Sequence, residues 1–106
     1  MVNEISPNEL KALREAGRGP LVLDVREKWE VEVASIPDVL HIPMGEIPAR
    51  LGELDAEADV VVMCRSGGRS MQVAHFLARN GFRSVANLTG GILAWSRDVD
   101  PSVRTY

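Results

Sequence analysis

Val60-Val61-Val62-Met63-Cys64-Arg65-Ser66-Gly67-Gly68-Arg69-Ser70 is the stretch that decides the fold of this chain. Four consecutive apolar residues, three of them β-branched, predict a strand in the middle of a sheet, buried on both faces. The character then changes within one position to a cysteine, two arginines, a serine and two glycines. A helical pattern follows from about Ser70 to Asn80, with Met71, Ala74, Phe76, Leu77 and Ala78 on a broad apolar side, His75 at its edge and Gly81 as the stop. Strand, tight loop and helix in that order form the unit from which parallel sheets are built.

The same alternation runs outward in both directions. Ser6 caps a helix that has Pro7 at its first position and Glu9 completing a capping box, and Gly17-Arg18-Gly19-Pro20 ends it. Leu21 to Val25 is a short buried strand. A short helix carries Trp29, Val31 and Val33 and breaks at Ile36-Pro37, and Val39 to Ile42 is the next strand. Glu46 to Leu54 reads as a helix with Ile47, Leu51 and Leu54 on one face. Ser84 to Leu88 is the last strand, and Gly90-Gly91 lead into a helix bearing Ile92 and Trp95. Strands alternating with helices predict an α/β domain: a mainly parallel sheet of about five short strands, flanked by helices in three layers. We expect one domain over residues 1–106, with its core at about 4–97 and a polar, loosely packed tail at 98–106.

Composition sets bounds on the chemistry. The chain has 106 residues, 45% hydrophobic and 25% charged, with a net charge of −3. This is an ordinary globular composition, and its acidic balance argues against a general nucleic-acid partner. No apolar run reaches membrane-spanning length, and the start, Met1-Val2-Asn3-Glu4, lacks a basic leader. Cys64 is the only cysteine, so an internal disulfide and a multi-cysteine zinc site are both ruled out. A lone thiol suits a reducing compartment, and we expect a cytoplasmic protein without metal or cofactor.

In open parallel sheets, ligands bind beyond the carboxyl ends of the strands, and Cys64 stands there. Ser66, Gly67 and Gly68 allow a tight turn whose amides point inward, and the next helix presents its positive end, so the loop reads as an anion nest. Helix amino ends and nearby cations depress thiol pKa values, which favours a thiolate flanked by Arg65 and Arg69. The ordinary reading of a lone cysteine after an apolar strand is an inert core residue. The polarity and flexibility of the following five residues weigh against it. Arg65 is the candidate for binding an anionic ligand. Arg69 either faces that ligand or turns inward to Glu30 or Asp24. Asp24 and Arg26, two residues apart at a strand end, read as a structural ion pair that Glu30 joins.

Cys64-Arg65-Ser66-Gly67-Gly68-Arg69-Ser70 resembles the active-site loop of the single-domain rhodaneses, whose pattern is Cys-x-x-Gly-x-Arg. Leu23-Asp24-Val25-Arg26 with Trp29-Glu30 resembles the family's Asp-Val-Arg segment. Asn87-Leu88-Thr89-Gly90-Gly91-Ile92-Leu93-Ala94-Trp95 resembles its closing Gly-Gly-x-x-x-Trp motif. One departure is the turn at Ser35-Ile36-Pro37-Asp38-Val39, where the family often has His-Ile-Pro-Gly-Ala and Asp38 replaces the glycine.

The resemblance implies a rhodanese-like fold and a thiosulfate sulfurtransferase. Cys64 would take sulfane sulfur from thiosulfate or a similar donor as a persulfide and pass it to cyanide or a thiol, with Arg65, Ser66, Gly67, Gly68 and Arg69 holding the anion. With a protein or thiol as acceptor, the chain would instead be a persulfide carrier. A non-catalytic rhodanese-like module serving a partner is the other alternative. Cdc25-type phosphatases and arsenate reductases share the fold but use Cys-x5-Arg, one residue longer than the spacing from Cys64 to Arg69. Trp29 and Trp95 read as packing residues. Gly90-Gly91 read as a close approach of helix to strand, His75 as a core-edge residue, and Met44 and Ile47 as lining of a groove.

Overall fold

The computed structural model describes residues 2–106. Five strands, β1 (Val2–Ile5), β2 (Leu21–Asp24), β3 (Leu40–His41), β4 (Asp59–Met63) and β5 (Ser84–Leu88), form one parallel sheet in the order β1-β5-β4-β2-β3. The helices are α1 (Pro7–Glu15), α2 (Lys28–Val33), α3 (Gly68–Arg79) and α4 (Gly91–Asp98). This is the three-layer α/β architecture that the sequence predicts, with β4 at its centre.

The period-2 alternation of β4 builds both cores. Val60, Val62 and Cys64 face one layer, where they meet Val73, Ala74 and Leu77 of α3 and the segment holding Ile47 and Leu54. Val61 and Met63 face the other layer, against Leu10 of α1 and Ile92 and Trp95 of α4. Each fully buried side chain of this size contributes about 1.5–3 kcal/mol, so β4 is locked from both sides.

The topology also positions the site. From β2 the chain passes through α2 to β3 on one side, and from β4 it passes through α3 to β5 on the other. The two connections leave in opposite directions, so the carboxyl ends of β2 and β4 border the switch point at which α/β sheets bind ligands. Asp24 ends β2, Cys64 follows β4, and the Val25 amide donates to the Met63 carbonyl at 3.0 Å across the gap.

Several local expectations need correction. Residues 46–54 do not form a helix. Two 3₁₀ turns, Met44–Glu46 and Leu51–Glu53, carry the same apolar residues inward, because Pro48 and Gly52 oppose a continuous α-helix. Helix α3 begins at Gly68 rather than Ser70, so the loop is shorter than the sequence suggests. Strand β1 has no signal in the sequence. The tail is not loose: Val103 is buried against α4, and its carbonyl accepts from Ser96 Oγ at 2.6 Å. Trp29 is 60% exposed and lies outside both cores, and His75 is exposed. Asp38 holds the left-handed turn, at φ 60°, where the family often has glycine. Arg14 donates to the carbonyls of Pro37 and Asp38 there. No helix among the described residues is long and apolar enough to cross a membrane.

Candidate active site

Cys64 sits directly after β4, and the chain turns around its sulfur to enter α3. The turn depends on Gly67, which takes φ 113° as the residue before the helix, a conformation that side-chain-bearing residues seldom adopt. In that conformation the Gly67 amide donates to Cys64 Sγ at 3.1 Å, and Ser70 Oγ lies 3.3 Å from the sulfur. Burial pushes the thiol pKa up. The Ser70 hydroxyl and the amides of Ser70, Gly67 and Ser66 together outweigh it, and the net direction is down. The lowering comes chiefly from hydrogen bonds to the sulfur and not from Arg65 or Arg69.

The loop's carbonyls are disposed of on the opposite side. Ile92 N donates to Cys64 O at 2.9 Å and Leu93 N to Arg65 O at 3.2 Å, so the amino end of α4 takes up both oxygens. Gly91 makes this approach possible. A Cβ at that position, where φ is +61°, would lie 2.5 Å from the Cys64 and Arg65 carbonyl oxygens. Gly91 thus makes the close approach that the glycine pair predicts, with the end of β4 and the Cys64 loop, while a Cβ on Gly90 would meet Ala94 of α4 itself. Gly91→Ala is expected to cost about 3 kcal/mol or more through backbone strain and overlap with main-chain atoms that cannot yield. A drop in the urea midpoint checks this; an unchanged midpoint would refute the contact.

Cys64 is only 1% exposed and packs beside the α3-side core, deeper than the polar loop suggests. It differs from an inert core cysteine in its partners, the Gly67 amide that donates to the sulfur and the Ser70 hydroxyl beside it. Asn87, on neighbouring β5 and buried, braces them. Its Nδ2 donates to Gly67 O at 3.2 Å, while Oδ1 accepts from Ser70 Oγ at 2.5 Å. Neither Ser70 nor Asn87 was singled out from sequence as a site residue. A polar Asn inside an apolar strand was the available signal.

The arginines divide into different roles. Arg69 turns inward and grips Glu30 with both nitrogens, at 2.6 and 2.8 Å. Of the two roles open to it from sequence, the structure shows the inward one. Glu30 also accepts from the Glu27 amide at 3.0 Å and the Tyr106 hydroxyl at 2.7 Å. Arg69 above all holds its pKa down, with the Glu27 amide and Tyr106 helping against burial, to about 2. The proton is bound less tightly in the folded than in the unfolded chain. The contribution is therefore complete above the ordinary glutamate pKa of about 4.3 and is lost as pH falls towards 2. We expect up to about 3 kcal/mol of stability to disappear across that window, and Glu30→Gln to flatten it. Denaturation midpoints at stepped pH would show an equal acid slope in both proteins if this is wrong.

Asp24 and Arg26 form the expected ion pair, both wholly buried, at 2.7 Å. The Arg26 guanidinium also donates to Ala34 O, Glu30 O and Tyr106 Oη, and its main-chain oxygen accepts from His41 Nε2 at 2.6 Å. Arg65 alone of the three points outward: Nε donates to the main-chain oxygen of Tyr106 at 2.8 Å, as does Nη2. Met44 and Ile47 border an apolar groove with Val73 and Phe76, and none of the Cys64 loop residues lines it.

Comparison with known proteins agrees with this geometry. The family model described as Rhodanese-like domain matches residues 6–98. A sulfurtransferase of Allochromatium vinosum is 42% identical over 103 residues, covering 97% of this chain and 96% of that protein. A putative sulfurtransferase of Bacillus subtilis is 42% identical over 100 residues, covering 94% and 96%. Among solved structures, a rhodanese-like domain protein from Staphylococcus aureus superposes with a TM-score of 0.86 at 28% identity, over 99% of both chains. With the loop, the sheet and the matched span in agreement, the chain belongs to the rhodanese-like domain family, in the company of sulfurtransferases of its own length.

Proposed function

We propose that this chain is a sulfurtransferase that carries sulfane sulfur as a persulfide on Cys64. The observation behind the reading is a single thiol held by the Gly67 amide and the Ser70 hydroxyl at the carboxyl end of β4, with its pKa lowered. In the first half-reaction the Cys64 thiolate attacks the outer sulfur of thiosulfate. A new S–S bond forms, the donor's S–S bond breaks, and sulfite leaves with the electron pair. In the second, cyanide or an acceptor thiolate attacks the terminal sulfur and releases the Cys64 thiolate. This is covalent catalysis with two alternating substrates. Hydrogen bonds to the sulfur lower the thiol pKa and so favour the thiolate that this attack requires.

The amides of Ser66, Gly67 and Ser70 that hold the thiolate are the groups nearest to the terminal sulfur of the persulfide, and their dipoles stabilise its charge. Ser66 and Gly68 are exposed and border the approach to the nearly covered sulfur. Arg65 receives the donor's oxyanion end, while Arg69, Glu30, Asp24 and Arg26 support the loop. Phosphoryl chemistry fits less well. Four residues separate Cys64 from Arg69, and the Arg69 guanidinium is spent on Glu30 instead of facing the mouth.

Intact-mass measurement after thiosulfate treatment tests the reading. The protein is expected to gain the mass of one sulfur atom and to lose it on adding cyanide, with thiocyanate formed in equal amount. No gain would reject the persulfide. A gain that thiols discharge but cyanide does not would point to the carrier role.

A further inference from the structure

We propose that Tyr106 is a positioning residue for Arg65, and through Arg65 for the anionic end of the sulfur donor; the proposal rests on the reading above. Three arginines surround the Cys64 loop. Arg26 is buried on Asp24, and Arg69 is closed by Glu30. Among the described residues no Asp or Glu side chain pairs with Arg65, which leaves it as the loop cation available to a ligand.

An exposed arginine normally roams, and fixing such a side chain costs up to about 2 kcal/mol of conformational entropy. Here Tyr106 bears that cost before any ligand arrives. Its main-chain oxygen accepts from Nε and Nη2 of Arg65, and its ring lies 5.2 Å from the guanidinium carbon. Tyr106 is itself pinned at its far end. The hydroxyl donates to Glu30 Oε2 at 2.7 Å and accepts from Arg26 Nη1 at 3.0 Å, and the ring meets Trp29 edge-on at 5.9 Å. A rigid line thus runs from the buried ion pairs, through one aromatic residue, to the outward guanidinium.

The geometry of the fork argues that Tyr106 orients Arg65 and does not block it. A guanidinium carries five N–H groups. Tyr106 takes the Nε–H and one hydrogen of Nη2, so the edge formed by Nη1 and the second Nη2 hydrogen stays open. That edge is a two-pronged donor suited to two oxygens of a sulfonate-like group. It fits the oxyanion end of the proposed sulfur donor.

The test compares wild type, Tyr106→Ala, Arg65→Ala and the double variant. In Tyr106→Ala the second-order rate constant for sulfur loading from thiosulfate is expected to fall about tenfold, as loss of about 1.4 kcal/mol implies, while that for cyanide discharge of the loaded protein stays unchanged. The double variant should load no more slowly than Arg65→Ala. Both variants keep the main-chain oxygen; Tyr106→Ala loses the ring and the hydroxyl that hold it in place, whereas Tyr106→Phe loses only the hydroxyl and should fall in between. A readout that needs no sulfur transfer accompanies these. The ratio of Cys64 alkylation rates with iodoacetate and iodoacetamide, anionic and neutral reagents of similar size, should drop in Tyr106→Ala and Arg65→Ala alike. Additive losses in the double variant, or equal slowing of both reagents, would overturn the proposal. If wild type takes up no sulfur at all, the sulfurtransferase reading falls, and the alkylation ratio alone then decides the role of Tyr106.

Discussion

Replacing Cys64 with serine is expected to abolish sulfur uptake from thiosulfate, lowering turnover on the order of 10⁴-fold or more, as removing a covalent nucleophile does elsewhere. Nothing in the structure offers a substitute, because this is the chain's only cysteine. A serine hydroxyl at this place would keep the hydrogen bonds to Gly67 and Ser70 but would remain protonated, and it cannot hold a persulfide. The fold should survive, since the substitution removes little volume and leaves the donors a partner. Loss of uptake with an unchanged denaturation midpoint would then isolate the chemistry from the scaffold. Thiocyanate production by Cys64→Ser above the background of thiosulfate and cyanide alone would show that the sulfur never rests on this residue.

The near-complete coverage of Cys64 bears on the same reaction. A sulfur at the floor of a ring of amides can be reached only by a slim reagent, and the terminal sulfur of thiosulfate is one. The donors that lower the thiol pKa therefore also narrow the approach. A single loop provides activation and selection together.

What could be read from sequence follows from how local each signal is. Val60-Val61-Val62-Met63 specifies a central strand because burial on both faces demands apolar residues at every position. The box formed by Ser6 and Glu9 closes within one helical turn, with hydrogen bonds of 2.9 and 3.1 Å, so it too is legible. Strand β1 is not. Its four residues alternate weakly, with Asn3 and Glu4 exposed, and it becomes a strand by pairing with β5 more than eighty residues away. The site shows the same division. Cys64 and its glycines are adjacent in the chain and declare themselves. Tyr106 acts through bonds to Glu30, Arg26 and Arg65, each to a different part of the fold, and no local pattern in a polar tail announces them. Arg69 could not be assigned from sequence for a related reason. Whether it turned to Glu30 or to the ligand depended on where α2 would lie relative to α3.

The second large effect is expected at Arg26, where truncation should destabilise the domain by about 3–5 kcal/mol. Single domains are stable by only about 5–15 kcal/mol in total, so Arg26→Ala would leave a marginal or unfolded protein. Arg26 and Asp24 are both fully buried, and the guanidinium reaches Asp24 through Nε and Nη2 at 3.0 and 2.7 Å. With the cation gone, the Asp24 carboxylate keeps only the Arg26 amide, at 3.1 Å, to offset its burial. The Ala34 carbonyl loses the Arg26 bond and Tyr106 loses one of its two anchors. Because the cost arises from the stranded charge and not from the missing attraction, removing both charges should cost less than removing one. The double change Asp24→Asn with Arg26→Met is expected to recover part of the loss. Urea unfolding of Asp24→Asn, Arg26→Met and the double provides the cycle, beside Arg26→Ala. If Arg26→Ala unfolds at the wild-type midpoint, or if the double variant is no better than the worse single, the pair is not what ties the end of β2 to the Cys64 loop.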